Sequence, residues 1–194
     1  MPNLDSICGI INTALQADQF GTRRFQASAW YNIADPLRTT GENETTQPVI
    51  IDNEGEGKSV VFDDTNALQV FHRINSISYK IADPDYGNPG TTTEETANMR
   101  MIFVGSRRRL KTRPENVMAG AAMDFPKELN SSVITSLGMN SLIIEMGDID
   151  LDPYSVWNTE WQGSDFELDS DTFLFSLKYT IISTFNKSCF SICP

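Results

Sequence analysis

The chain has 194 residues, with 15 Lys and Arg against 26 Asp and Glu, a net charge of −11 and 40% hydrophobic residues. Eleven Phe, five Tyr and three Trp exclude a disordered chain, and the length suits one domain that buries roughly 70% of its unfolded surface. The acidity excludes a general nucleic-acid binder, because neutralising phosphates takes cationic surface.

In chain order, Met1 to Asp5 carry no positive charge, and the apolar stretch after them is broken by Cys8-Gly9 and Asn12-Thr13, so no secretory signal is expected. Asn3 is a good N-cap, and Leu4, Ile7, Cys8, Ile11, Ala14 and Leu15 recur at helical spacing. They predict an amphipathic helix over about residues 4 to 18, with Gly21 beyond its end. Ser28 to Ile33 reads as a short strand closed by Asp35-Pro36, and Thr39 to Thr46 as a polar loop. Pro48 to Asp52 and Lys58 to Asp63 read as two short strands joined by the turn Asn53-Glu54-Gly55-Glu56-Gly57. Gln69 to Ile81 is strand-like, with Ile77, Tyr79 and Ile81 on one face and Ser76, Ser78 and Lys80 on the other.

Asp83 to Thr96, rich in Pro, Gly, Thr and acids, is expected to be a long surface loop or arm. Ala97 to Val104 follows as a strand with Met99, Met101 and Phe103 alternating against Arg100. Glu115 to Met123 is weakly helical, and Lys127 to Leu137 reads as a helix closed by Gly138. Ser141 to Leu151 is a strand, and Tyr154 to Gly163 an irregular segment holding two of the three Trp. Thr172 to Phe185 is the clearest strand: Phe173, Phe175, Leu177, Tyr179, Ile181 and Phe185 share one face, and Ser176, Lys178, Thr180 and Thr184 the other. Its length exceeds the usual five or six residues. The order of elements implies one α+β domain: a mostly antiparallel sheet with an N-terminal and a middle helix packed on one face. No apolar run reaches 18 residues, so no membrane-spanning segment is expected.

Signals for chemistry are sparse. His72 is the only histidine and lies within a strand pattern beside Arg73, where a satisfied structural role is expected rather than catalysis. Glu54 to Lys58 is glycine-rich but lacks the phosphate-loop spacing, and its acids would repel a phosphate. Asp148, Asp150 and Asp152 alternate and could face one way on a strand, which would suit a divalent cation in a metal-assisted hydrolase. The same alternation describes a solvated strand face, and no metal or other cofactor is expected. Tyr154, Trp157 and Trp161 could stack on sugars in a carbohydrate-binding or adhesin-like module, or close a core edge. Cys8, Cys189 and Cys193 make an odd count that fits reduced thiols, and a Cys189–Cys193 zinc half-site would need ligands from another chain.

Charge is the more informative pattern. Arg107, Arg108, Arg109, Lys111 and Arg113 place five cations in seven residues. From Glu128 through Asp171 there are ten acids, among them Asp148, Asp150, Asp152, Asp165, Glu167 and Asp169, and no Lys or Arg. Two solvated faces would account for this, as would head-to-tail association in which the basic cluster of one subunit meets the acidic surface of the next.

In organisation the chain resembles small structural proteins of tailed-bacteriophage necks and tails, the tail-completion and tail-terminator proteins. The resemblance lies in the N-terminal helix from Leu4 to Asp18, the strand and arm from Gln69 to Thr96, the middle helix from Lys127 to Leu137, and the extended strand from Phe173 to Phe185. It implies a non-enzymatic virion protein, assembled in the host cytoplasm into a ring with itself and other neck or tail proteins. DNA would pass nearby without sequence-specific binding. No family motif stands behind the basic cluster; on the charge pattern, Arg107 to Arg113 would form the subunit interface with the acids from Asp148 to Asp169 of a neighbour or an adjacent ring. An acidic chain suits such a passage, because a strongly cationic lumen would hold the phosphates.

Overall fold

The computed structural model describes residues 4–17, 28–39, 45–51, 57–60, 67–81, 92–110, 113–126, 129–162, 168 and 170–186. The fold is α+β and mostly sheet. Helix α1 (Leu4–Ala17) is followed by strands β1 (Ser28–Ile33), β2 (Asp35–Thr39), β3 (Thr45–Ile51), β4 (Gly57–Ser59), β5 (Leu68–Ile81) and β6 (Thr92–Ser106). Then come α2 (Arg107–Leu110), α3 (Pro114–Asp124), α4 (Ser131–Ser136), β7 (Ser141–Asp150), α5 (Pro153–Glu160) and β8 (Thr172–Asn186).

The main sheet runs β1-β5-β6-β8-β7. Only the β1–β5 pair is parallel; β5–β6, β6–β8 and β7–β8 are antiparallel. Because side chains alternate across a strand, its two faces read directly from the register. One face carries Val70, His72, Met99, Met101, Phe103, Phe175, Leu177, Tyr179 and Ile181, and α1, α3 and α4 pack over it. This bears out the alternation in β8: its six apolar residues on that face are all buried. The opposite face carries Phe71, Ile102, Val104 and Leu174, packed against Val156 and Trp161. Above them lies a second antiparallel sheet, β2-β3-β4, tied to the end of α5 by the Thr46 amide donating to Gln162 O at 2.7 Å.

Four local expectations shift. Thr92 to Thr96 is strand, not arm: it pairs with β5 on one side (Tyr79 opposite Glu95) and with β8 on the other (Thr92 opposite Asn186). These threonines and glutamates show no apolar alternation, but the flanking strands supply ladder partners for their backbone. The middle helix begins at Ser131, where the Asn130 side chain caps it. Tyr154 to Glu160 is helical, with Asp152 as N-cap and Pro153 in the first turn. Thr39, Thr45 and Thr46 belong to the β2–β3 ladder rather than to a loop.

Candidate assembly surface

Of the residues that sequence singles out for chemistry, His72, Asp150, Asp152, Trp157 and Trp161 sit in structural roles, while Cys189 and Cys193 lie outside the described residues. His72 is fully buried between Tyr179 and Asn12: Nδ1 lies 2.7 Å from the Tyr179 hydroxyl and Nε2 lies 2.9 Å from Asn12 Oδ1. Asn12 uses its amide nitrogen to donate to Tyr31 O and Asn32 Oδ1, so its oxygen accepts. His72 therefore donates from Nε2, and Nδ1 accepts from the Tyr179 hydroxyl. The Tyr179 oxygen in turn faces the Cys8 sulfur at 3.5 Å. This chain of polar groups locks α1 onto the sheet and leaves the imidazole no open side for a substrate. Burial pushes the His72 pKa down to about 3 and the Cys8 thiol up to about 12.

Asp148, Asp150 and Asp152 do not form a row. A register shift between Met146 and Ile149 puts Asp148 at a bulge. Asp150 accepts from the Asp152 amide and from Ser155 Oγ, and Asp152 caps α5 through the Tyr154 amide. Among the described residues, no three of His, Cys, Asp and Glu converge as a metal site. The acidic run also contributes Glu160, which the sequence does not mark out. Its carboxylate is buried, 2.7 Å from Arg73 Nε and 3.4 Å from Arg100, and Arg73 also donates to Ala34 O at 2.6 Å. The trio joins α5 to the middle of the main sheet. Burial raises the Glu160 pKa, while the two guanidiniums oppose that rise. Trp161 is buried, stacks on Trp157 and donates to Val60 O at 3.2 Å, so this pair closes a core edge; Tyr154 is exposed.

The basic cluster is surface. Arg107, Arg108 and Arg109 are exposed on α2, as is Arg113 at the start of α3, while Lys111, Asp165, Glu167 and Asp169 lie outside the described residues. One acid from the run does reach the cluster within the same subunit. Asp171 accepts from Ser106 Oγ at 2.6 Å and from the Arg108 amide at 3.1 Å, and its own carbonyl accepts from the Arg107 amide. Asp171 thus fixes the backbone that displays the arginines.

The remaining feature is the far end of β5. β5 is buried from Leu68 to His72 and exposed from Asn75 to Ile81. There Ile77, Tyr79 and Ile81 are 38%, 47% and 62% exposed on the helix-bearing face. Tyr79 hydrogen-bonds Glu95 opposite it, and burial lifts that carboxyl above its ordinary range. On β7, Ile143 and Met146 are exposed as well. β6 has 15 residues and so extends about 45–50 Å, which puts the arginines and the apolar stripe at opposite ends of the subunit. No protein-family model matches the chain, and no curated protein is detectably similar to it.

Proposed function

We propose that this protein is a non-enzymatic structural subunit that assembles into an oligomeric ring of the kind found in the neck or tail of a tailed-bacteriophage virion. The observation that carries this reading is the exposed far end of β5, where Ile77, Tyr79 and Ile81 face solvent. Apolar side chains exposed along one long strand are the mark of a surface completed by another protein. His72, Cys8, Glu160 and the two tryptophans, the residues best suited to chemistry or sugar stacking, are committed to packing and hydrogen bonds.

The arginines at the other end offer a second contact. Arg107, Arg108 and Arg109 would meet acidic surface on an adjacent ring or a neck or tail partner rather than the lateral neighbour, because they stand a full strand length from the apolar stripe. Native mass spectrometry of the purified protein, in low and high salt, tests the ring. A defined multiple of the 21.7 kDa chain is the expected result. A strict monomer in both, also when mixed with its virion partners, would overturn it.

A further inference from the structure

Three features of the molecule fall outside the roles above: the small apolar cleft between α1 and α3, the hydroxyl-rich row Ser76-Asn98-Thr180, and the two free edges of the main sheet. The edges carry an inference. Among the described residues, β1 covers β5 only as far as His72, and no strand pairs with the outer edge of β5 from Ile74 to Ile81. The outer edge of β7 is likewise unpaired among the described residues. A strand edge presents a row of backbone donors and acceptors that another strand can satisfy.

The two open edges stand at the same height. The ladders place Lys80, Glu94, Thr184 and Ser141 in one row across the sheet, then Tyr79, Glu95, Ser183 and Leu142, then Ser78, Thr96, Ile182 and Ile143. Ile77, Ala97, Ile181 and Ile144 follow, and Ile74, Met99, Tyr179 and Met146 come last before the bulge in β7. The stretch of β5 left open by β1 is therefore level with the stretch of β7 that precedes its bulge. A rotation with little shift along the strands brings one against the other, which is the condition for a head-to-tail contact to close. Strand directions agree: β7 runs antiparallel to β5, so the new pair is antiparallel too.

The chemistry also matches. On the helix-bearing face, Tyr79, Ile77 and Ile74 would lie beside Leu142, Ile144 and Met146. On the other face Ser78 meets Ile143 and Ser76 meets Glu145, with no like charges opposed. The open stretch of β5 carries no acid and one cation, Lys80, which already pairs with Glu94 at 2.8 Å, while Ser141 to Met146 carries one acid, Glu145, and no cation, so no charge repulsion opposes the contact. We infer that the β5 edge of one copy, Ile74 to Ile81, pairs antiparallel with the β7 edge of a second copy, Ser141 to Met146, continuing the sheet from subunit to subunit. This deepens the ring reading and rests on it.

Disulfide trapping tests it. In a full-length Cys189→Ser, Cys193→Ser background, which keeps the buried Cys8, the pair Ser78→Cys and Ile143→Cys is introduced and mildly oxidised. Within one copy these positions are three strand spacings apart, about 14 Å, beyond the roughly 7 Å Cα reach of a disulfide. The expected result is a ladder of covalent multimers on non-reducing gels, collapsed by reductant, with neither single variant extending past a dimer. Ile77→Lys, which sets a charge into the apolar row, should abolish the ladder while the far-ultraviolet circular dichroism spectrum stays unchanged. A defined multimer by native mass spectrometry with no ladder would overturn the edge pairing and leave the ring standing. A strict monomer with no ladder would overturn both.

Discussion

The two halves of the main sheet share strands but not surroundings. The near half, from Leu68 to His72 on β5 and from Met101 to Ser106 on β6, is covered on both faces: α1 and α3 on one, α5 and the small sheet on the other. The far half carries Ile77, Tyr79 and Ile81 into solvent and holds its backbone by the ladder and side-chain bonds such as Thr180 Oγ1 to Asn98 Oδ1 at 3.1 Å. Exposed apolar surface is therefore concentrated on the far end of β5, while β6, β7 and β8 beside it stay buried on the helix-bearing face through Ala97, Ile144, Ile181 and Phe185.

The sharpest way to break the comparison is to delete equal side chains from the two halves. Leu177→Ala, fully buried in the near half, should cost about 3–4 kcal/mol, since a truncated core leucine loses its transfer energy and leaves a cavity. Ile81→Ala, 62% exposed, should change stability by no more than about 0.5 kcal/mol. Urea unfolding of both variants reads the difference directly. Equal losses would mean that the far half is as well packed as the near one.

The boundary between the halves is marked by Arg73, Arg100 and Glu160. Glu160→Gln should cost about 3 kcal/mol, because two largely covered guanidiniums lose their buried counter-charge. Replacing all three with apolar residues of similar volume (Arg73→Met, Arg100→Met and Glu160→Leu) should recover most of that loss in the same urea assay. A triple variant no better than Glu160→Gln would show that the trio stabilises through more than mutual compensation.

His72 gives the near half a pH dependence. Its pKa is about 3 in the folded protein and 6.5 when solvated, so between these values the unfolded chain binds a proton that the native state does not. The stabilisation is complete above pH 6.5 and is lost as pH falls toward 3, at up to about 1.4 kcal/mol per pH unit, or about 2 kcal/mol by pH 5. His72→Gln should flatten this part of the stability profile. An unchanged profile would place the titration on another group.

Smaller again is the cap of α5. Asp152→Ala should cost about 1 kcal/mol by thermal melting, the usual loss when an N-cap carboxylate is removed. This helix also shows what sequence could and could not carry. Asp152-Pro153 is a helix-start signal, yet the segment after it shows little apolar periodicity, because one of its three buried positions, Glu160, is charged; Val156 and Trp161 are the apolar ones and pack on the main sheet. The alternation in β8 was legible because one face of that strand is buried along its length. Thr92 to Thr96 was not, because their strand conformation comes from β5 and β8 alongside. The Glu160 trio was hidden for the same reason: its members lie on three elements that only the fold brings together. The basic cluster is plain in the sequence, but its anchor, Asp171, sits some 60 residues away, where nothing sets it apart from the other acids of its run.

The smallest effect on folding is expected at the arginines. Arg108→Glu with Arg109→Glu alters two exposed side chains on α2, while Asp171 continues to hold the Ser106 hydroxyl and the Arg108 backbone amide, neither of which needs the guanidiniums. Stability should stay within about 0.5 kcal/mol of the parent. The proposed lateral ring should also persist, because the open sheet edges lie at the other end. What should fall is the association of rings with each other or with an acidic partner, together with its sensitivity to salt, since exposed charges are screened beyond about 10 Å at 0.1 M ionic strength. Sedimentation velocity at low and high salt separates the two contacts. A double variant that dissociates to monomers would put the arginines in the lateral interface and would mean that the near and far ends do not divide their tasks.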